Sequence, residues 1–190
     1  VEEARPTFNR EALVEAYFYT VAAGTSRFVE DTAAYVGRKP RPADFELATW
    51  LLAQIGWKCD APTLLKAQQT MQRASREVAA FFERYDLFLT PVHAEPPIKI
   101  GELTPSKAER LQLAVVRTLN TKGLLDKVLS TLGSNALSRT PNTQLFNQTG
   151  QPAMSVPLYW TPEGLPLGVQ VVAPFGGEGL LFEVATELEE

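Results

Sequence analysis

Histidine and cysteine are nearly absent from this 190-residue chain, which has only His93 and Cys59. A single cysteine excludes a disulfide framework within the chain and a cysteine-rich metal site. One histidine and one cysteine build no zinc site without carboxylates, and no HExxH helix occurs, so no metal and no cofactor is expected. No apolar run approaches the ~18 residues of a membrane span, and no membrane partner is expected. The N-terminal text VEEARPTFNRE lacks the charge-then-apolar order of a secretory signal. With the sparse cysteine, this leads to the expectation of a cytoplasmic protein. The chain starts at Val1 in charged text, which reads as the middle of a longer chain or a processed one. Clustered basic charge is missing too. The net charge is −4, and the one short basic cluster, Arg38, Lys39 and Arg41, has prolines among its members. It reads as a solvated loop rather than a phosphate site, and no nucleic-acid partner is expected.

A nucleophile with its activator is also missing. There is no Gly-x-Ser-x-Gly elbow and no Ser-x-x-Lys pair. Thr63 and Lys66 have the second spacing, but with threonine, in the first turn of an amphipathic helix. A Ser-His-Asp triad would need His93, which sits in a proline-rich loop and reads as a surface histidine. Gly176-Gly177-Glu178-Gly179 is followed by no lysine and reads as a turn and helix start, not a phosphate cradle.

What is present is an ordinary globular composition, 45% apolar and 21% charged, long enough for one domain with a full core. The first half reads as helical. Glu11 to about Val36 carries Leu13, Ala16, Tyr17 and Thr20 at helical spacing and stops at Gly37, Pro40 and Pro42. Pro42 to about Trp57 forms a second helix with Phe45, Ala48, Leu52 and Ile55 as its apolar face. Asp60 caps a third, in which Leu64, Ala67, Met71, Ala74, Val78, Phe81 and Tyr85 alternate steps of three and four. The period then changes. Asp86 to Pro91 reads as a short buried strand, His93 to Gly101 as an irregular loop, and Ser106 to about Leu119 as a polar helix. Thr121 to Ser138, with Gly123 and Gly133, is ambiguous. Two strands follow, Ala153 to Leu158 and Leu167 to Ala173, separated by the Pro162–Gly164 turn, and a last amphipathic helix begins near Gly177. The expected class is α/β. Three short strands, apolar on both faces, make a narrow sheet with unpaired edges that calls for more strands.

Three polar residues stand in odd places. Gln170 lies between Val169 and Val171 in an apolar strand and needs buried hydrogen-bond partners. Asn147 precedes the turn at Gly150 and is placed to cap it or bond loop backbone. Thr143, near Leu145 and Phe146, fits either a structural or a functional role.

Several ordered stretches together resemble the amidase signature family. Arg84 to Gly101, RYDLFLTPVHAEPPIKIG, is similar to its Asp-led strand ending Thr-Pro, with a Pro-Pro loop and glycine after it. Phe146 to Ala153, FNQTGQPA, is similar to its Asn-x-Thr/Ala-Gly-x-Pro-Ala turn, and Gly164 to Gln170, GLPLGVQ, to its Gly-Leu-Pro-x-Gly-x-Gln strand. FELATW from Phe45, with Gly56-Trp57, resembles the branch near the 6-aminohexanoate cyclic-dimer hydrolases. The resemblance runs over most of Phe45 to Glu189.

The resemblance implies a fold with one large mixed sheet covered by helices. It makes residues 1–190 the C-terminal portion of that domain, mostly helical to about 135 and strand-rich from 136. It implies hydrolysis of carbon–nitrogen amide bonds, with esters as further substrates, by a Ser–cis-Ser–Lys mechanism. There a neutral lysine takes a proton through the bridging serine, and backbone amides hold the oxyanion. Those residues lie in the family's N-terminal half, so no catalytic residue is assigned here. The segment before the Asn-x-Thr-Gly turn lies near the family's substrate pocket. It gives Thr140, Thr143 and Phe146 as candidate substrate-binding residues, beside Arg139. Related amidotransferase subunits hold a glutamine amine with an Asp near the Thr140 position. Arg139 and Thr140 do not match it, which points to a neutral or apolar acyl group. The expected partners are a small-molecule amide and either a complementary N-terminal segment or a second copy. Three accounts cover the absent machinery: a piece of a longer or cleaved enzyme, a non-catalytic interaction module keeping the second half of the fold, or a small hydrolase with an unrecognised site. Ser134, Ser138 and Ser155 are the serines to test first under the last.

Overall fold

In the computed structural model, the residues described are 1–102, 104, 106–121, 123–125 and 140–189. Arg139, Ser134, Ser138 and most of the ambiguous Thr121–Ser138 stretch, Gly133 included, lie outside them. The elements along the chain are α1 (Arg10–Val36), α2 (Leu47–Gly56), α3 (Ala61–Phe81), β1 (Phe88–Pro91), α4 (Lys107–Leu119), α5 (Thr143–Thr149), β2 (Ala153–Trp160), β3 (Pro166–Val172) and α6 (Glu178–Glu189). Helices and a small sheet are thus mixed in one chain. The chain divides into two compact units, one built from Val1–Arg10, Met71–Lys99 and Asn135–Glu190, the other from Glu11–Thr70 and Ile100–Ser134.

The second of these units is helical. Val29 of α1 packs with Trp50 and Ala53 of α2, and Phe45 closes over them. The Trp50 and Trp57 rings meet edge to face with centroids 5.4 Å apart, and the Trp57 indole N–H donates to Glu30 Oε1 at 2.9 Å. α2 also packs on α4, and the buried Gln54 donates through Nε2 to the Arg117 carbonyl at 3.0 Å. Ser106 caps α4: its hydroxyl accepts from the Glu109 N–H while Glu109 Oε2 accepts from the Ser106 N–H at 2.7 Å. Those bonds hold the Glu109 carboxyl below its usual range.

The expected second helix is broken. Pro42–Asp44 forms a single 3-10 turn, Phe45 and Glu46 are extended or irregular, and α2 proper starts at Leu47. The break has a physical cause. Asp44 Oδ2 accepts from the Arg41 N–H and takes one arm of the Arg38 guanidinium at 2.6 Å, while Oδ1 takes the other at 2.8 Å. The Arg38 hydrogen bonds keep the Asp44 carboxyl below its usual range. The basic cluster is therefore partly tied down rather than wholly solvated. The apolar face also differs. Ala48 is exposed and Leu52 half-buried, while Trp50, Leu51, Ala53, Gln54, Ile55 and Gly56 are buried. A helix apolar nearly all round offers no single face to read.

The first unit holds the sheet, in the order β1-β3-β2 with both pairs antiparallel. The mixed sheet of the sequence expectation is not seen among the described strands. Alternation separates two faces. Val171 and Ala173 pack with Leu181 of α6, and Leu87, Met154 and Val156 close over them. On the other face, Phe88 meets Phe81 of α3 (centroids 5.2 Å) and Phe146 of α5 (6.0 Å). β1 lies at an edge, so it is half-buried rather than buried, with Leu89 53% exposed.

The sheet's apolar residues are covered unevenly. Val171 is 1% exposed beneath α6, whereas Leu158, Tyr159, Trp160 and Leu165 at the end of the β2–β3 hairpin are 43–60% exposed. The hairpin turn is closed by the Gly164 N–H to the Thr161 carbonyl at 2.9 Å, with Gly164 at φ 80°, where a side chain would be strained.

Gln170 behaves as its position demands. It is 5% exposed, and Nε2 donates to the Thr90 hydroxyl at 3.1 Å, the residue opposite it in register. Gln170→Leu is expected to lower the free energy of unfolding by about 1–3 kcal/mol by leaving that hydroxyl without its donor. A urea midpoint equal to the parent's would contradict this.

Candidate active-site segment

The segment from Thr140 to Pro152, TPNTQLFNQTGQP, contains no charged residue. Pro141 and Asn142 turn the chain into α5, which runs only from Thr143 to Thr149. The sequence reading gave no helix here, and Gly150 rather than Asn147 ends it. Gly150 adopts φ 88°, and its N–H donates to the Phe146 carbonyl at 2.9 Å, a left-handed close that glycine makes without strain. Asn147 is exposed on the helix.

Each predicted pocket residue has a definite place. Thr140 is half-buried at the bend before α5. Thr143 is half-buried in the first turn, and its hydroxyl lies 3.5 Å from the Thr140 carbonyl, a long contact that leaves the hydroxyl free to turn to a better acceptor. The two threonines are thus neighbours. Phe146 lies one turn on and is 4% exposed, with its ring against Phe88. It backs the segment as core.

The residues that fix this segment were not singled out in the sequence. Asn142 Nδ2 donates to the Pro91 carbonyl at 3.0 Å, tying the start of α5 to β1. At the other end, the Ser75 hydroxyl of α3 donates to the Thr149 carbonyl at 2.6 Å, and Gln151 Nε2 donates to the Ser75 carbonyl at 3.3 Å. The signal available was polarity. Thr149 and Gln151 stand in a turn beside Leu145 and Phe146, and Ser75 interrupts the buried flank of α3 next to Ala74.

The other candidates are placed apart from chemistry. His93 is exposed in its loop. The Thr63 N–H donates to the Asp60 carboxylate at 2.8 Å, which is helix capping, and Lys66 is exposed. Cys59 is half-buried, and its thiol donates to the Asp60 carbonyl at 3.7 Å. Ser26 and Ser75 donate to backbone carbonyls, and Ser106 caps α4. Among the described residues, no group of three or more His, Cys, Asp or Glu is placed to hold a metal ion. Among the same residues, no helix is long and apolar enough to cross a membrane.

The start of α5, with Thr143 in its first turn and Thr140 at the bend before it, carries no charge, and a threonine hydroxyl there can hydrogen-bond a neutral polar group such as an amide. The chain belongs to the amidase family, whose model, described as Amidase, matches residues 2–182. It is 30% identical over 192 residues to a lipoamidase of Enterococcus faecalis, covering 98% of this chain and 26% of that protein. It is 26% identical over 191 residues to the 6-aminohexanoate-cyclic-dimer hydrolase of Pseudomonas sp. (strain NK87), covering 100% of this chain and 36% of that one. The solved structure of a 6-aminohexanoate cyclic dimer hydrolase superposes on it with a TM-score of 0.80 at 27% identity, over 100% of this chain and 37% of that chain. The chain therefore spans about a quarter to just over a third of the length of these relatives.

Proposed function

We propose that this chain is the C-terminal portion of an amidase that hydrolyses the carbon–nitrogen bond of a small amide with a neutral or apolar acyl group. The observation that carries the reading is the superposition of the whole chain on 37% of a hydrolase named for a 6-aminohexanoate cyclic dimer, at a TM-score of 0.80. The uncharged Thr140–Pro152 segment supports the choice of acyl group, since a buried charge opposite an apolar chain would go unpaired. In this reading the Thr140 and Thr143 hydroxyls, backed by Phe146, form one wall of the substrate pocket. The three-stranded sheet is part of a larger mixed sheet. A complementary N-terminal segment supplies the further strands and a Ser–cis-Ser–Lys site. There the nucleophilic serine adds to the carbonyl, its proton passing through the second serine to a neutral lysine. The amine then leaves with a proton, and water releases the acid from the acyl-enzyme.

The reading is tested by treating the native protein with a fluorophosphonate and mapping the label by mass spectrometry. The label is expected on a serine outside residues 1–190. Label on Ser75, Ser134, Ser138 or Ser155 would put the nucleophile within this chain and overturn the assignment.

A further inference from the structure

Three polar side chains meet where the end of α5 reaches α3, outside the proposed pocket wall. Thr149 and Gln151 are each 4% exposed, and Ser75 is half-buried. The Ser75 hydroxyl donates to the Thr149 carbonyl at 2.6 Å. The Thr149 hydroxyl is bonded to Gln151 Oε1 and also lies 2.9 Å from the Leu145 carbonyl, one proton shared between two acceptors. Gln151 Nε2 returns to the Ser75 carbonyl at 3.3 Å. The bonds close a ring from α3 to the helix end, through the turn, and back to α3. In a buried ring of this kind, removing one member leaves the others without partners.

The ring matters because of what it holds. α5 has seven residues, about two turns, too few to keep a helix in place by its own bonds. Its start is tied to β1 through Asn142, and its end is tied to α3 through the bonds of this ring. Thr143 sits six residues from Thr149, roughly 9 Å along the helix axis. Rotation or sliding at one end moves the hydroxyl at the other.

We propose that Ser75, Thr149 and Gln151 are positioning residues for the substrate pocket: the buried ring sets the depth and rotation of α5 and thereby places the Thr140 and Thr143 hydroxyls against the substrate. This rests on the pocket reading above and adds the residues that keep the pocket in register. The ring does not touch the substrate, so its loss weakens substrate binding and leaves the chemical step largely intact.

The test uses the native protein with hexanoyl p-nitroanilide as substrate, and compares Thr149→Val, Thr149→Ser, Ser75→Ala and Thr143→Val. Thr149→Val is expected to raise KM by about tenfold with kcat within about twofold of the parent, the scale of a displacement well under 1 Å. Thr149→Ser, which keeps the hydroxyl, is expected to restore KM, a rescue that mere core packing would not give because serine lacks the methyl. Ser75→Ala opens the ring from a half-buried position and is expected to raise KM in the same direction should Thr149→Val fail to fold. In hydrogen exchange, the α5 amides are expected to exchange faster in Thr149→Val while those of β3 stay at the parental rate. A raised KM in Thr143→Val with parental KM in both Thr149→Val and Ser75→Ala would overturn the positioning role and keep the pocket reading. Parental KM in Thr143→Val as well would overturn both.

Discussion

Replacing Gly56 with alanine is expected to lower the free energy of unfolding by about 3 kcal/mol, the upper end of the usual cost of overpacking. A Cβ at this position would stand 2.1 Å from the Ala22 carbonyl oxygen, 2.7 Å from its carbon and 2.8 Å from the Ser26 Cβ. Two of those atoms are backbone of α1, and Ala22 is fully buried, so neither helix can give way without moving its neighbours. Gly56 is the last residue of α2, where alanine would otherwise be the better helix former by up to ~1 kcal/mol. The close approach of the two helices outweighs that gain. Gly24, inside α1, is the matched control. Nothing lies within 4 Å of a Cβ built there, so Gly24→Ala is expected to stabilise by about 0.5–1 kcal/mol. Urea unfolding of the two variants should move in opposite directions, and a shift of the same sign in both would contradict the account.

These two glycines show what the sequence conceals. Both sit in helical text, and nothing in the letters says that one faces a backbone at contact distance and the other faces open space. The regular elements were more legible. The three-four alternation from Leu64 to Phe81 marks α3, and Ser106 with Glu109 marks the start of α4, because periodicity and capping are local properties. The strands and the hairpin turn at Pro162–Gly164 were readable for the same reason. α5 was not. TQLFNQT offers two buried apolar residues among polar ones of modest helix propensity, and the helix is held by partners 51 to 76 residues away in sequence, Pro91 for Asn142, Ser75 for Thr149 and Gln151. Long-range bonds of this kind leave no local pattern. The break between Asp44 and Leu47 escaped likewise, because it depends on which side chains Asp44 binds.

The placement of the candidate residues follows from local sequence only in part: Thr143 sets its hydroxyl 3.5 Å from the Thr140 carbonyl at the start of α5, and Phe146 is buried one turn on, against Phe88. The buried partner demanded by Gln170 is Thr90, across the ladder from it. The polar ring of Ser75, Thr149 and Gln151 went unread because each residue, taken alone, is an unremarkable turn or helix residue. Burial is what gives them a role, and burial follows from packing that only the folded chain shows.

The second large effect is on turnover. The chain of residues 1–190 alone is expected to hydrolyse amides at the buffer rate. Enzymes of this chemistry work by a positioned nucleophile and base, worth many orders of magnitude over water, and removing them leaves only binding. The serine hydroxyls whose bonds are described, on Ser26 and Ser75, are committed to carbonyls as donors, and Ser106 is committed to a helix start. A threonine hydroxyl can hydrogen-bond an amide but cannot deprotonate a nucleophile, since it does not take up a proton near neutral pH.

The central claim is that this chain supplies the pocket side and sheet of an amidase whose reactive serine and lysine lie elsewhere. It is tested most directly by measuring hydrolysis of hexanoyl p-nitroanilide by the native protein and by residues 1–190 alone, side by side, with and without a serine-directed phosphonate. The account predicts phosphonate-sensitive turnover by the native protein and none above buffer by the isolated chain. Phosphonate-sensitive turnover by the isolated chain would contradict it.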